Sequence, residues 1–160
     1  MSEFLSDPML HAFVLSLLPI SELRGGIPYA VANDISLPIA YILCVVSNIL
    51  VIPIVYLFLE TLHKWFYRIG IYKKLFDHFV ERTRRKAEKN VAKYGYWGVM
   101  MFVAIPLPIT GAYSGTLAAW LLKLDKKHSF WYLAAGVLIA GIVVSIATLT
   151  GVKALQIFTK

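Results

Sequence analysis

The sequence predicts an all-α integral membrane protein: an inverted repeat of a re-entrant helical hairpin plus a transmembrane helix, with a basic amphipathic surface helix between the repeats. Three observations predict it. Hydrophobic residues make up 59% of the 160 residues and charged residues 16%, against about 45–50% and about 25% in soluble domains. Two apolar runs are each interrupted by a Pro- and Gly-rich stretch, Pro19–Pro28 (P-I-S-E-L-R-G-G-I-P) and Ile105–Gly115 (I-P-L-P-I-T-G-A-Y-S-G). The basic charge is clustered: ten of the 16 Lys and Arg lie between Lys64 and Lys93, and three more are Lys123, Lys126 and Lys127.

The first repeat covers residues 1–62. Met1–Pro8 is a polar lead-in, and Asp7-Pro8 reads as a helix start, Asp as cap and Pro in the first turn. Met9–Leu18 would rise about 15 Å, half of the ~30 Å hydrocarbon core. The chain then breaks at Pro19–Gly26. A second arm starts at Pro28, a favourable first-turn residue, and stops at Asn33-Asp34. Leu37–Leu59 is apolar and long enough to span. Its Asn48 and Pro53 read as a packing residue and a tolerated kink ahead of substrate contacts.

Residues 63–95 differ in character. Trp65, Ile69, Tyr72, Phe76, Phe79, Thr83, Ala87 and Val91 recur at helical spacing among basic residues. This predicts an amphipathic helix on the cytoplasmic surface, broken at Gly70, against anionic lipid headgroups. The second repeat covers 96–160. After an aromatic and glycine turn at Tyr94–Gly98, Val99–Ile105 is a short arm and Pro106–Thr110 the break. Gly111–Leu122 returns with a G-x-x-x-G face, and Ser129–Gly151 spans, with Gly136, Gly141 and Ser145 as packing positions. Val152–Lys160 reads as a tail.

Charge decides between topologies. If the hairpins re-enter, both basic clusters fall on one side. If each spans as a single helix, Lys123, Lys126 and Lys127 move to the other. The positive-inside rule favours re-entry, with the central segment cytoplasmic and the protein multi-pass in the cell membrane. The two units then have opposite orientations, the plan of many transporters.

The net charge of +7 follows this topology and predicts no nucleic-acid partner, since the basic run carries no nucleic-acid-binding motif. The single cysteine, Cys44, excludes an internal disulfide and reads as a small buried hydrophobe. His11, His63, His78 and His128 are too scattered for a metal motif, so no metal and no cofactor is expected. Met9–Ile20 resembles a signal-peptide core, but Glu3 and Asp7 precede it where Lys or Arg would stand, so it is expected to remain.

The candidate site lies where the two breaks meet: Glu22, Arg24, Gly25, Gly26 and Pro28 from the first, Pro106, Pro108, Thr110, Gly111 and Tyr113 from the second. Charge at that depth costs about 2.5–3.5 kcal/mol on insertion scales, so Glu22 and Arg24 call for a function. A broken helix offers free backbone N–H groups at the start of its second arm, near Pro28 and near Thr110-Gly111. Arg24 adds a cationic fork for phosphate or carboxylate, and Gly25-Gly26 would admit a ligand close to the backbone. Glu22 could pair with Arg24, or carry a coupling proton if desolvated. Pro106 and Pro108 form the loop, and Thr110 is expected to cap the returning arm ahead of touching substrate. Tyr113 faces either the site or lipid.

E-L-R-G-G-I-P at Glu22–Pro28 and A-I-P-L-P-I-T-G-A-Y-S-G at Ala104–Gly115 resemble the archaeal and bacterial small multidrug export protein family over nearly the whole chain. That family is similar in layout to the DedA superfamily, whose members are implicated in recycling polyprenyl-phosphate lipid carriers and in lipid scrambling. The resemblance implies opposed hairpins with an acidic and a basic residue near their tips, which Glu22 and Arg24 match. The second loop departs from the DedA pattern, with no arginine between Ala104 and Leu122. The expected function is a membrane transporter or lipid translocase moving an amphiphilic anion such as a polyprenyl-phosphate carrier. The alternative is a proton-coupled exporter of small hydrophobic compounds. The chain offers no catalytic constellation and is not expected to be an enzyme. Exposed small-residue faces make a homodimer the expected assembly.

Overall fold

A computed structural model describes residues 7–62, 66, 70–107 and 110–158. The regular structure among the described residues is all helix, in the order α1 (Pro8–Leu17), α2 (Glu22–Ala32), α3 (Leu37–Thr61), α4 (Gly70–Tyr94), α5 (Tyr96–Ala104), α6 (Ala112–Leu121) and α7 (Lys126–Phe158). Two of these are long and apolar enough to cross a membrane, Leu37–Thr61 and Lys126–Gly151. Each turns an apolar stripe outward, Ile39, Ile42, Val46, Leu50, Ile54 and Leu57 on α3 and Leu138, Ile142, Ile146 and Leu149 on α7. An uncovered stripe of that size suits lipid rather than water.

Each short helix pair packs on one long helix. The α1–α2 pair lies on α3, and α5–α6 lies on α7. The long helices also touch each other, and α2 reaches α7 while α3 reaches α6. Directions follow from the contacts. Cys44, Ser47 and Asn48 of α3 meet Ala12, Phe13 and Ser16 in that order, so α1 runs alongside α3 in the same sense. Tyr96 at the start of α5 stacks on Tyr132, and Gly136 lies against Met100 and Val103, so α5 runs with α7. Lys126 pairs with Glu60, joining the end of α3 to the start of α7. The two long helices are therefore antiparallel. Gly141 lets them close up, because a Cβ there would stand 2.7 Å from the Tyr41 ring.

The caps explain most boundaries. Asp7 accepts from Met9 N–H at 2.8 Å with Pro8 in the first turn, as the Asp-Pro pair predicts. Asp34 takes a left-handed φ of 60° and ends the α2 segment. Gly95, at φ 55°, is the whole turn between α4 and α5, so α5 begins at Tyr96 rather than Val99. Asp125 accepts from His128 N–H at 3.0 Å and starts α7 before the expected Ser129. Past Gly151 nothing breaks the helix until Phe158.

One boundary changes the site. α2 starts at Glu22 and carries Pro28 inside it. Proline there has no N–H for the carbonyl of Arg24, but the helix runs through. Glu22, Arg24 and the glycine pair are thus helical rather than part of a loop. The turn is residues 18–21, closed by Leu18 N–H to Leu15 O at 3.2 Å and Glu22 N–H to Leu18 O at 3.0 Å. The expected break at Gly70 coincides with the start of α4. Trp65 and Ile69 lie outside the described residues, as do the side chains of Tyr72, Ala87 and Val91. Thr83 of α4 is buried, with Phe76 and Val80 partly covered on the same side.

Candidate functional site at the junction of the two helix breaks

Breaking a helix inside an apolar environment strands its last carbonyls and the next helix's first N–H groups. Three other elements supply partners for the end of α1. Ser47 Oγ donates to Phe13 O at 2.8 Å and Asn48 Nδ2 to Ser16 O at 3.0 Å, both from α3. Ser21 Oγ donates to Leu15 O from the turn, and Tyr113 O–H donates to Leu17 O from α6. Tyr113 thus ties the second break to the end of the first.

At the second break the partners come from elsewhere too. The Glu22 carboxylate lies against Gly111 at the start of α6, within electrostatic reach of the backbone N–H groups of Ala112 and Tyr113, the first residues of that helix. Glu22 is 6% exposed. A Cβ on Gly111 would stand 1.8 Å from Glu22 Oε2 and 2.6 Å from its Cδ. The φ of Gly111, 164°, is one that any residue adopts, so the glycine is there to admit the carboxylate. Thr110 does not cap α6. Its hydroxyl donates to Ile105 O at 2.6 Å and accepts from Leu107 N–H at 2.9 Å, holding the break together. The group that stands at the start of α6 is the Glu22 carboxylate, contributed by the other hairpin.

Glu22, Arg24, Asn48, Pro106, Thr110 and Gly111 surround a cavity of about 10 Å³, room for about one water. Val137 and Ala140 of α7 close it. Asn48 lies near the middle of α3, and Val137 and Ala140 near the middle of the Lys126–Gly151 stretch. The cavity therefore sits halfway along both long helices. Arg24 is partly exposed, acts on Glu22 through space, and forms no ion pair with it within 4.0 Å among the described residues.

The structure brings together five of the ten expected residues: Glu22, Arg24, Pro106, Thr110 and Gly111. Gly26 serves packing instead, since a Cβ there would meet Ser16 Oγ at 1.9 Å and Cys44 Sγ at 3.0 Å. Gly25 faces Ser21 of its own turn. Pro28 lies one helical turn past Arg24, and Tyr113 contributes its hydroxyl to the junction. Pro108 lies outside the described residues. Asn48 was expected to be a packing residue, yet it lines the cavity while serving the Ser16 carbonyl. An uncharged amide within an apolar run was the only signal for it.

A carboxylate, a guanidinium and a helix N-terminus thus stand together, and the last two are groups that favour an anion.

A family model described as "Putative small multi-drug export protein" matches residues 22–143, from Glu22 through the middle of α7. No curated protein and no solved structure matches the chain.

Proposed function

The chain belongs to the small multi-drug export protein family, and on that premise we propose that it is a membrane transporter in which Glu22 is a proton-operated latch between two opposed, re-entrant hairpins. The observation that carries the proposal is the seating of a carboxylate from the α2 hairpin against Gly111 at the start of α6, halfway along both long helices. Supporting it, each hairpin runs out along its own long helix and returns, and the long helices are antiparallel. An inverted repeat with its site at mid-depth would be arranged in this way. By the positive-inside rule, the end carrying α4 and Lys126 is cytoplasmic.

The magnitudes suit a switch. An N-cap side chain contributes about 0.5–2 kcal/mol, and a charge at a helix N-terminus up to about 2 kcal/mol when partly buried. Each 1.4 kcal/mol is tenfold in population, so protonating Glu22 shifts the closed state by about twofold to thirtyfold. The cavity of about 10 Å³ belongs to that closed state. When the hairpins separate, the N–H groups of α6 and Arg24 receive the anionic head of an amphiphile, a polyprenyl-phosphate carrier being one such cargo. A second reading, export of small hydrophobic compounds, draws support from Glu22 itself filling the anion site.

Flux from proteoliposomes under an imposed pH gradient tests both, with labelled polyprenyl phosphate and a neutral hydrophobic dye as cargoes. Wild-type flux should follow the gradient and Glu22→Gln flux should ignore it. Gradient-driven flux surviving in Glu22→Gln removes the latch. Loss of phosphate transport alone in Arg24→Gln selects the anion, and dye transport indifferent to Arg24 selects the second reading.

A further inference from the structure

A groove of about 460 Å³ lies on the outer seam of α3 and α7, away from the junction of the hairpins. Its rim is polar: Glu60 near the end of α3, with Lys126 and Lys127 at the start of α7. Its depth is apolar, walled by Pro53, Leu57, Phe130 and Trp131. We propose that this groove binds one anionic phospholipid, its phosphate at Lys127 and the upper part of one acyl chain along Leu57 and Trp131.

The charge arrangement favours an anion. Glu60 and Lys126 form an ion pair, which fixes Lys126 at the rim and neutralises it. Lys127 lines the same rim, is exposed, and has no carboxylate partner among the described residues. The three rim side chains therefore sum to one net positive charge where the long helices end, while nearby Asp125 is engaged by His128. Its geometry favours an amphiphile. From Glu60 to Pro53 is about 10 Å along the helix at 1.5 Å per residue, so the polar end and the apolar floor are separated as a headgroup is from its chain. Leu57 and Trp131 are 63% and 71% exposed, which opens the groove sideways into the apolar belt. Tryptophan at such a boundary places its ring at headgroup level. A soluble anion would use only the rim, and a peptide would leave the sideways opening unfilled. Basic pockets between membrane helices recognise lipid heads in this way.

Native mass spectrometry of the intact protein from detergent, with dioleoylphosphatidylglycerol or dioleoylphosphatidylcholine added, tests the assignment. The wild type should retain the anionic phosphatidylglycerol in preference. Lys127→Gln should lower that retention about fivefold, the equivalent of the ~1 kcal/mol that one basic residue near an anionic surface contributes. Trp131→Ala should weaken retention of both lipids. Arg85→Gln, on the α4 surface, should leave it unchanged. Equal retention of the two lipids, no effect of Lys127→Gln, an equal loss in Arg85→Gln, or a lipid-free dimer would each overturn it. The readout needs no transport, so failure here leaves the Glu22 latch standing, and failure of the latch leaves the groove.

Discussion

Glu22 and Gly111 are complementary in shape: the carboxylate of one fills the space that a Cβ on the other would occupy, 1.8 Å from Oε2. The contact joins two hairpins that are far apart in sequence. It makes a glycine in the second hairpin a condition for seating a carboxylate supplied by the first. Gly111→Ala should therefore push Glu22 away from the start of α6. Overpacking costs about 1–3 kcal/mol, and the lost attraction between the charge and the helix start up to about 2 kcal/mol more. Thermal unfolding in detergent should show a clear drop for Gly111→Ala. Gly70→Ala is the control, because nothing lies within 4 Å of a Cβ there. Equal melting of the two variants would sink the fit.

Asn48→Ala leaves the Ser16 carbonyl without its donor and Asn48's place at the cavity empty. An unsatisfied buried polar group costs about 1–3 kcal/mol. Asn48→Leu should be no better, since the carbonyl remains unpaired. A packing role alone would let leucine restore the melting temperature, and that restoration is the result to look for.

The sequence announced the helices more clearly than their meeting point. Composition and run length gave α3 and α7, and Asp7-Pro8 gave the start of α1, because these are local signals. The start of α2 was misjudged because Pro28 looked like a first-turn residue. Inside α2 it removes one hydrogen bond, and neighbouring helices hold the rest. The pairing of Glu22 with α6 could not be read, since no local pattern says that a helix start is met by a side chain of another hairpin. The same holds for Asn48, Ser21 and Tyr113, each of which serves a carbonyl of α1. Thr110 was assigned by proximity to the nearest helix start. Its oxygen accepts from the Leu107 N–H and its proton goes to Ile105 O instead.

Asp125 lies at the polar end, outside the spanning stretch, and caps α7 through His128. The backbone N–H of His128, then its ring, hold the carboxyl below its ordinary value of 3.8. A group depressed in the folded state contributes stability above its unfolded pKa and loses it as pH falls through the folded one. Wild-type melting temperature should therefore fall on acidification below about pH 4. Asp125→Asn should start lower at neutral pH and change less over that window. Parallel curves for the two proteins would remove Asp125 as the source.

The orientation of the hairpins has a direct test in which side each loop faces. Lys126 pairs with Glu60, so the start of α7 and the end of α3 share an end of the molecule, and α4 follows from that end. The start of α3, just after Asp34, is at the other end. With Cys44, buried in the structure, replaced by serine, single cysteines at Lys74, Lys123 and Asp34 can be labelled with a membrane-impermeant maleimide in sealed inside-out and right-side-out vesicles. Lys74→Cys and Lys123→Cys should react only where the cytoplasmic face is outward, and Asp34→Cys only in the opposite preparation. If Lys123→Cys labels with Asp34→Cys instead, the second hairpin crosses the membrane outright. Glu22 could then not meet α6 at mid-depth, and the latch would go with it.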